Sequence, residues 1–247
     1  MIKVIPYILL GFPDIEKSYK AIEEFLADPK IRFIELGMPS KDPFKDGEII
    51  RHFQNDLISK NFYLDDYLNF IADNFKPYEI KKFIPMGYLK DIEEYGIENF
   101  NEKVSKIGFA GMICIHDTSE SEKLKMLKLP TIPVVSCDSS GSFMKEKFLK
   151  KPPFIYFVSG NGKTGETVIH SNDILRKALT MIRKKIPGIP VYAGFGIDSH
   201  EKAKKMIDIG FDGIIVGSAL LNSLEEGITA SEFLENLRGK KNEEPSL

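Results

Sequence analysis

The sequence predicts an α/β protein with a single (β/α)8 TIM barrel, and three observations lead to this prediction. Short apolar runs alternate with longer amphipathic segments along the 247 residues. The runs recur about every 30 residues, which is the length of one β-α unit. Almost every residue within a run is apolar, as in strands of a parallel sheet that is covered on both faces. A closed barrel with one core accounts for all three observations.

The predicted strands are evenly spaced, except for a longer interval between the second and the third. In chain order they cover residues 4–10, 33–37, 83–86, 112–115, 132–136, 154–158, 191–193 and 213–216. An additional helix, predicted at residues 64–75, fills the longer interval. We expect residues 1–240 to form one barrel domain and residues 241–247 to form a frayed polar tail.

The segments between the strands have apolar residues at three- and four-residue spacing, which is typical of amphipathic helices. The expected buried faces are Tyr19, Ile22, Phe25 and Leu26 in the first helix, and Ile174, Ala178, Met181 and Ile182 in a later one. Asp14 and Ser199 are predicted N-caps. Residues 220–237 are expected to be helical with a break at Gly227.

A doubly wound open sheet is the rival architecture. Its glycine fingerprint would follow the first strand, where this chain has Gly11-Phe12-Pro13-Asp14. That turn disfavours a dinucleotide-binding fold.

Composition and charge exclude several classes of function. The chain is 43% hydrophobic and 28% charged, with a net charge of −2, as in an ordinary globular domain. This balance gives no reason to expect binding to nucleic acid or a membrane. The four histidines are scattered without ligand spacing, so we expect no metal site. Cys114 and Cys137 lie in apolar runs and are expected to stay reduced, which indicates a cytoplasmic protein.

Two carboxylates mark the end of the second strand. Glu35 lies inside the apolar run, and Asp46 follows in the polar loop after Gly37. A carboxylate in a buried strand is costly unless it is paired, hydrogen-bonded or protonated. A structural ion pair is the plain alternative, and an acid/base pair is the functional one. Because the loop contains two lysines and is bounded by glycines, we also expect it to sample open states.

Glycine-rich loops follow the last three strands, where barrels often bind phosphate. They are Ser159–Gly165, Gly194–Gly196 and Gly217–Ala219, the last of which opens directly into a helix. Backbone N–H groups in such loops and at helix N-termini bind anions. A single Gly-x-Gly motif usually means only a tight turn, but three such loops in succession favour a phosphate site.

These motifs together resemble one family. Phe33-Ile-Glu-Leu-Gly-Met-Pro39, followed by Asp42-Pro43 and Asp46-Gly47, is similar to the signature of the tryptophan synthase alpha subunit. The first turn, Asp117, Thr164-Gly165, Gly194–Ile197 and Gly217-Ser218 also fall where that family has them. The resemblance runs in order from about Lys3 to Leu221.

The resemblance implies cleavage of indole-3-glycerol phosphate into indole and glyceraldehyde 3-phosphate, a lyase reaction of tryptophan biosynthesis. It implies no cofactor in this subunit. It also implies a partner, the pyridoxal-phosphate beta subunit, in an αββα or transient complex.

The resemblance further assigns roles to residues of this chain. Glu35 would be the acid/base, Asp46 would accept the indole N–H, and Tyr156 would orient Glu35. The predicted indole pocket is Tyr7, Met86, Tyr88 and Cys114, each of which could equally be a core residue. Thr164 is a further predicted substrate-binding residue. The predicted phosphate ligands are Gly165, Gly194, Gly196, Gly217 and Ser218.

Two departures from the family pattern fall in loops over the expected site. Glu48 replaces the common proline after Asp46-Gly47, and Gly160 stands where the family often has arginine. They bear on loop closure and on fit to a beta subunit. Two alternatives stay open: a sugar-phosphate isomerase or epimerase, which would use the same phosphate loops, and a non-catalytic activating subunit, which the loop departures support.

Overall fold

The computed structural model describes residues 2–137, 152–160 and 170–239. Its strands all run parallel and form one 8-stranded sheet in the order β4-β3-β2-β1-β8-β7-β6-β5. The strands are β1 (Val4–Leu9), β2 (Ile34–Gly37), β3 (Phe83–Tyr88), β4 (Ile113–Ile115), β5 (Val134–Ser136), β6 (Ile155–Val158), β7 (Val191–Gly194) and β8 (Gly213–Val216).

The two edges of this sheet, β4 and β5, approach each other through one bridge. The Met112 N–H donates to the Pro130 carbonyl oxygen at 3.0 Å, and the Ile132 N–H donates to the Met112 carbonyl oxygen at 2.7 Å. The sheet is therefore a nearly closed barrel, which confirms the predicted fold. The boundary at residue 240 and the tail 241–247 lie outside the described residues.

Helices surround the strands as the spacing predicts. They are α1 (Ile15–Ala27), α2 (Glu48–Ser59), α3 (Leu64–Asn74), α4 (Pro77–Ile80), α5 (Leu89–Tyr95), α6 (Ile97–Ile107), a 3₁₀ helix (Thr118–Met126), α7 (Asn172–Lys185), α8 (His200–Ile209), α9 (Ser218–Glu225) and α10 (Ala230–Arg238). The additional helix before β3 is confirmed as α3. In the described part of the chain, none of the helices has the length and apolar character that crossing a bilayer requires.

The predicted helix caps are confirmed. The Asp14 carboxylate accepts the Lys17 N–H at 2.8 Å, and the Ser199 hydroxyl accepts the Lys202 N–H at 3.4 Å. The break at Gly227 separates α9 from α10, because Gly227 adopts a positive φ of 88°.

The predicted buried face of α7 is partly wrong. Ile174 and Met181 are 46% and 43% exposed. The residues that α7 buries are Leu175, Ala178, Leu179 and Ile182. Apolar residues extend around more than one face of this helix, so two adjacent stripes fit the helical period, and packing against the barrel selects one.

Candidate functional site

Glu35 and Asp46 come together at the C-terminal mouth of the barrel. Glu35 lies on β2, in register with Tyr7 of β1 and Ile84 of β3. Asp46 lies in the loop that leads from β2 to α2. Both side chains are buried, at 3% and 1% exposed, and both line a cavity of about 240 Å³. The cavity lies where the active sites of (β/α)8 enzymes lie.

The cavity wall contains most of the residues predicted from the sequence. Tyr7, Met86, Tyr156, Gly196, Gly217 and Ser218 line it together with Glu35 and Asp46. Thr164 and Gly165 lie outside the described residues. Phe195, Ile197 and Ala219 of the predicted glycine motifs also line the cavity. The wall further includes residues that the sequence did not single out: Lys45, Ile49, Ile50, Ile113, Ile115, Val134, Asp198, Ile215 and Asn222.

Cys114 does not line the cavity. It is buried in β4 between Ile113 and Ile115, which do line the cavity. Successive side chains of a strand point to opposite faces, so Cys114 is directed away from the two isoleucines. Burial raises the pKa of its thiol to about 12. At β4 the cavity is therefore lined by Ile113 and Ile115, and the predicted pocket position of Cys114 is wrong.

Tyr88 and Gly194 also lie outside the wall, but both contact residues that belong to it. The Tyr88 hydroxyl approaches Asp46, although the two groups form no hydrogen bond of ordinary geometry. At Gly194, a Cβ would lie 2.4 Å from the Tyr156 ring. Glycine at this position therefore makes room for Tyr156, which supports a steric role for Gly194 beside the site.

Burial controls the charge of the carboxylate pair. Desolvation, followed by the Asp46 charge, raises the pKa of Glu35 to about 8. Desolvation also raises the pKa of Asp46 to about 7, while the Tyr88 hydroxyl and Arg51 oppose this rise. Glu35 is therefore mostly protonated near pH 7. Carboxyl groups poised in this range are suited to acid/base chemistry.

Several buried polar atoms at the mouth have no hydrogen-bond partner within the described residues. They are Glu35 Oε2, both carboxylate oxygens of Asp46 and the hydroxyl groups of Tyr7 and Tyr88. Buried polar atoms in native proteins are normally paired, so such a cluster at a cavity indicates that a polar ligand completes it. Burial holds the pKa of Tyr7 and Tyr156 well above the usual value, so both phenols stay neutral.

A second part of the cavity wall is built from backbone. Phe195 and Gly196 both have positive φ, 76° and 70°. A left-handed conformation is uncommon for an aromatic residue and costs free energy unless the surroundings hold it. Here the buried Ser159 hydroxyl donates to the carbonyl oxygens of Gly194, at 2.6 Å, and Phe195, at 2.9 Å. Because C=O and N–H point opposite ways across a trans peptide, this contact turns the N–H groups of Phe195 and Gly196 away from Ser159.

The first turn of α9 lies beside this backbone. Gly217 is its N-cap, and Gly217, Ser218 and Ala219 line the cavity. Helix N-termini carry free N–H groups and a partial positive charge. This side of the cavity can therefore bind an anion such as a phosphate.

The loop that carries Asp46 is anchored in this structure. Lys41 forms an ion pair with Glu94 at 2.9 Å, and Lys90 forms one with Asp42 at 3.3 Å. With Asp46 buried, the loop is in a closed arrangement here, and its sampling of open states stays a prediction. Glu48, one of the departures from the family pattern, is the first residue of α2, and an acidic residue is favourable there.

Comparisons of sequence and of fold show which known proteins this chain is similar to. The sequence profile of the family described as "Tryptophan synthase alpha chain" matches residues 2–244. The tryptophan synthase alpha chain of Thermoanaerobacter pseudethanolicus is 33% identical, over 95% of this chain and 89% of that protein. The one from Petrotoga mobilis is 32% identical, over 90% of this chain and 86% of that protein. A solved mutant alpha subunit of tryptophan synthase from Pyrococcus furiosus is 25% identical with a TM-score of 0.74, over 97% of this chain and 100% of that one.

Proposed function

We propose that this chain, which belongs to the tryptophan synthase alpha chain family, uses Glu35 and Asp46 to cleave indole-3-glycerol phosphate. The chain is a lyase of tryptophan biosynthesis, and the products are indole and glyceraldehyde 3-phosphate. The observation that supports the two residue roles is the pair of buried carboxyl groups with unpartnered oxygens at the cavity.

Glu35 is the proposed acid and base. In its neutral form, which its raised pKa favours near pH 7, it donates a proton to indole C3. The carboxylate that results accepts the proton of the glycerol hydroxyl next to the bond that breaks. The bond electrons return to the indole ring, and the hydroxyl carbon becomes the aldehyde. Glu35 is again neutral at the end of the cycle, so one group performs both transfers.

Asp46 is the proposed partner of the indole nitrogen. Protonation at C3 places positive charge on that nitrogen. A carboxylate that accepts its N–H stabilises this charge more in the transition state than in the bound substrate. Arg51 and the Tyr88 hydroxyl lower the pKa of Asp46 and so support its ionised form.

The remaining wall residues are assigned by their chemistry. Tyr7 and Met86 are proposed to hold the indole ring, and Tyr156 to orient Glu35. Gly196, Gly217 and Ser218 are proposed to bind the phosphate through backbone N–H groups. Thr164 and Gly165 stay proposed contacts from the sequence pattern alone, and the same holds for phosphate binding by Gly194.

The family implies a beta-subunit partner. We propose an αββα complex in which the beta subunit receives the indole. We also propose that the protein works in the cytoplasm, where thiols stay reduced, and the buried thiol of Cys114 supports this proposal. An isomerase or epimerase on the same barrel and a non-catalytic activating subunit are not favoured, since the family is that of a lyase.

Release of indole from indole-3-glycerol phosphate by the purified chain tests the proposed function directly. We expect Asp46→Asn to lower kcat about 10²-fold, because the amide cannot match the charge on the indole nitrogen. Asp73→Asn, at an exposed position of α3, is the matched control and should leave kcat unchanged. Turnover at the wild-type level in Asp46→Asn would contradict the proposed role of Asp46.

A further inference from the structure

Gln54 is a buried polar side chain that takes no part in the chemistry described above. It lies on α2, is 1% exposed, and does not line the cavity. Both ends of its amide make hydrogen bonds to backbone. Gln54 Nε2 donates to the Met38 carbonyl oxygen at 3.0 Å, and Gln54 Oε1 accepts the Ser40 N–H at 2.9 Å. Both of these hydrogen bonds are buried.

These hydrogen bonds link the chain segments that carry the two carboxylates. Met38 is the first residue after β2, the strand that carries Glu35. Helix α2, which carries Gln54, begins two residues after Asp46. Gln54 therefore joins the two ends of the loop 38–47 across its base. The Met38 N–H also donates to the Met86 carbonyl oxygen at 2.7 Å, so the first end of the loop is fixed to β3 as well.

We propose that Gln54 is a positioning residue that holds Asp46 in place relative to Glu35, a role that rests on the proposed function. The side-chain amide carries a donor and an acceptor without a charge, and this base of the loop needs both. Ile50, Phe53 and Leu57 hold α2 against the barrel through apolar contacts. Loss of the amide therefore detaches the base of the loop, at Met38 and Ser40, from α2 while the helix stays docked.

The first experiment compares Gln54→Met with Leu57→Ala. Gln54→Met keeps the length of the side chain and removes both hydrogen bonds. Leu57→Ala removes apolar contacts of the same helix without touching the loop. We expect Gln54→Met to lower kcat about 10- to 100-fold, with KM within about 3-fold, since a small misplacement of a catalytic group has effects of this size. Leu57→Ala should lower the Tm at least as much and keep kcat within about 3-fold of wild type.

Two further variants separate positioning from a general loss of structure. In the Asp46→Asn background, Gln54→Met should lower kcat by no more than about 3-fold, because residues that act as a unit are not additive. Gln54→Glu keeps the acceptor for Ser40, and its buried carboxyl group donates to the Met38 carbonyl oxygen only when it is protonated. Its kcat should therefore lie between those of wild type and Gln54→Met. The proposal would be overturned if folded Gln54→Met had the kcat of wild type. It would also be overturned if Gln54→Met lowered kcat by about 10- to 100-fold in the Asp46→Asn background as well.

Amide hydrogen exchange provides a test that does not depend on the reaction. In Gln54→Met, residues 40–46 should exchange about 10-fold faster than in wild type, whereas Leu57→Ala should leave them unchanged. Unchanged exchange in Gln54→Met would overturn the proposal that Gln54 positions the loop. If the wild-type chain failed to cleave indole-3-glycerol phosphate, the proposed function would fail, and the exchange rates would still decide whether Gln54 holds the loop.

Discussion

The two sides of the cavity differ in whether their polar groups can gain or lose a proton. The carboxylate side, Glu35 and Asp46, uses buried side chains whose ionisation is costly. The backbone side, Phe195–Gly196 and Gly217–Ser218, uses N–H groups and a helix terminus that carry no formal charge. Desolvation raises the pKa of both carboxyl groups, whereas backbone dipoles do not titrate. The carboxylate side is therefore suited to moving protons, and the backbone side to holding an anion in one place.

This difference predicts separable effects on kinetics. Changes on the carboxylate side should alter kcat and the dependence of stability on pH. Changes on the backbone side should alter KM through the phosphate. A substitution on the carboxylate side that changed mainly KM, or one on the backbone side that changed mainly kcat, would show that the two sides are coupled.

The largest expected effect belongs to Glu35. We expect Glu35→Gln to lower kcat by at least about 10²–10⁴-fold with little change in KM, because an amide can neither donate nor accept the required proton. Initial rates of indole release over a range of substrate concentrations separate the two parameters. Glu23→Gln, at an exposed position of α1, is the control and should behave as wild type. Substantial turnover by Glu35→Gln would remove the acid/base assignment.

A smaller effect is expected from Gly196. A branched side chain there would be strained at φ 70° and would block the close approach of phosphate. We expect Gly196→Val to raise KM about 10- to 100-fold while kcat stays within about 3-fold. The reverse reaction supplies the control, with indole and either glyceraldehyde 3-phosphate or unphosphorylated glyceraldehyde. If the KM of Gly196→Val rose equally for both aldehydes, the phosphate would not bind at Gly196.

The smallest effect is on stability. The pKa of folded Glu35, about 8, lies above its unfolded value near 4.5, so the folded state binds the extra proton between these values. Stability from this group is complete below about pH 4.5 and is lost as the pH rises toward 8. Since one pKa unit is about 1.4 kcal/mol, Glu35→Gln should raise the free energy of unfolding at pH 8 by about 2 kcal/mol or more.

Urea denaturation of both proteins at pH 4.5 and pH 8 measures this difference. The two proteins should have nearly equal stability at the lower pH, where Glu35 is protonated in the folded state and about half protonated in the unfolded state. A constant difference at both pH values would mean that the substitution changes packing and that ionisation is not the cause.

The meeting of Glu35 and Asp46 at the cavity could be predicted from sequence because its signal is local. A glutamate inside an apolar run and an aspartate just after it are unusual wherever the strand lies, and strand ends of a parallel barrel meet at one mouth. Gln54 could not be predicted in this way. A glutamine on an amphipathic helix usually faces water, and its partners, Met38 and Ser40, are backbone groups that any residue type would supply.

The sequence by itself determined the number of strands, their order along the chain, the additional helix before β3 and the caps at Asp14 and Ser199. These features depend on residues close together in the chain. Only the tertiary structure decided that Ile113 and Ile115, rather than Cys114, line the cavity, and that α7 buries Leu175 rather than Ile174. A strand buried on both faces has no alternation to reveal which side points inward. Barrel closure and helix packing make that choice, through contacts between residues far apart in the chain.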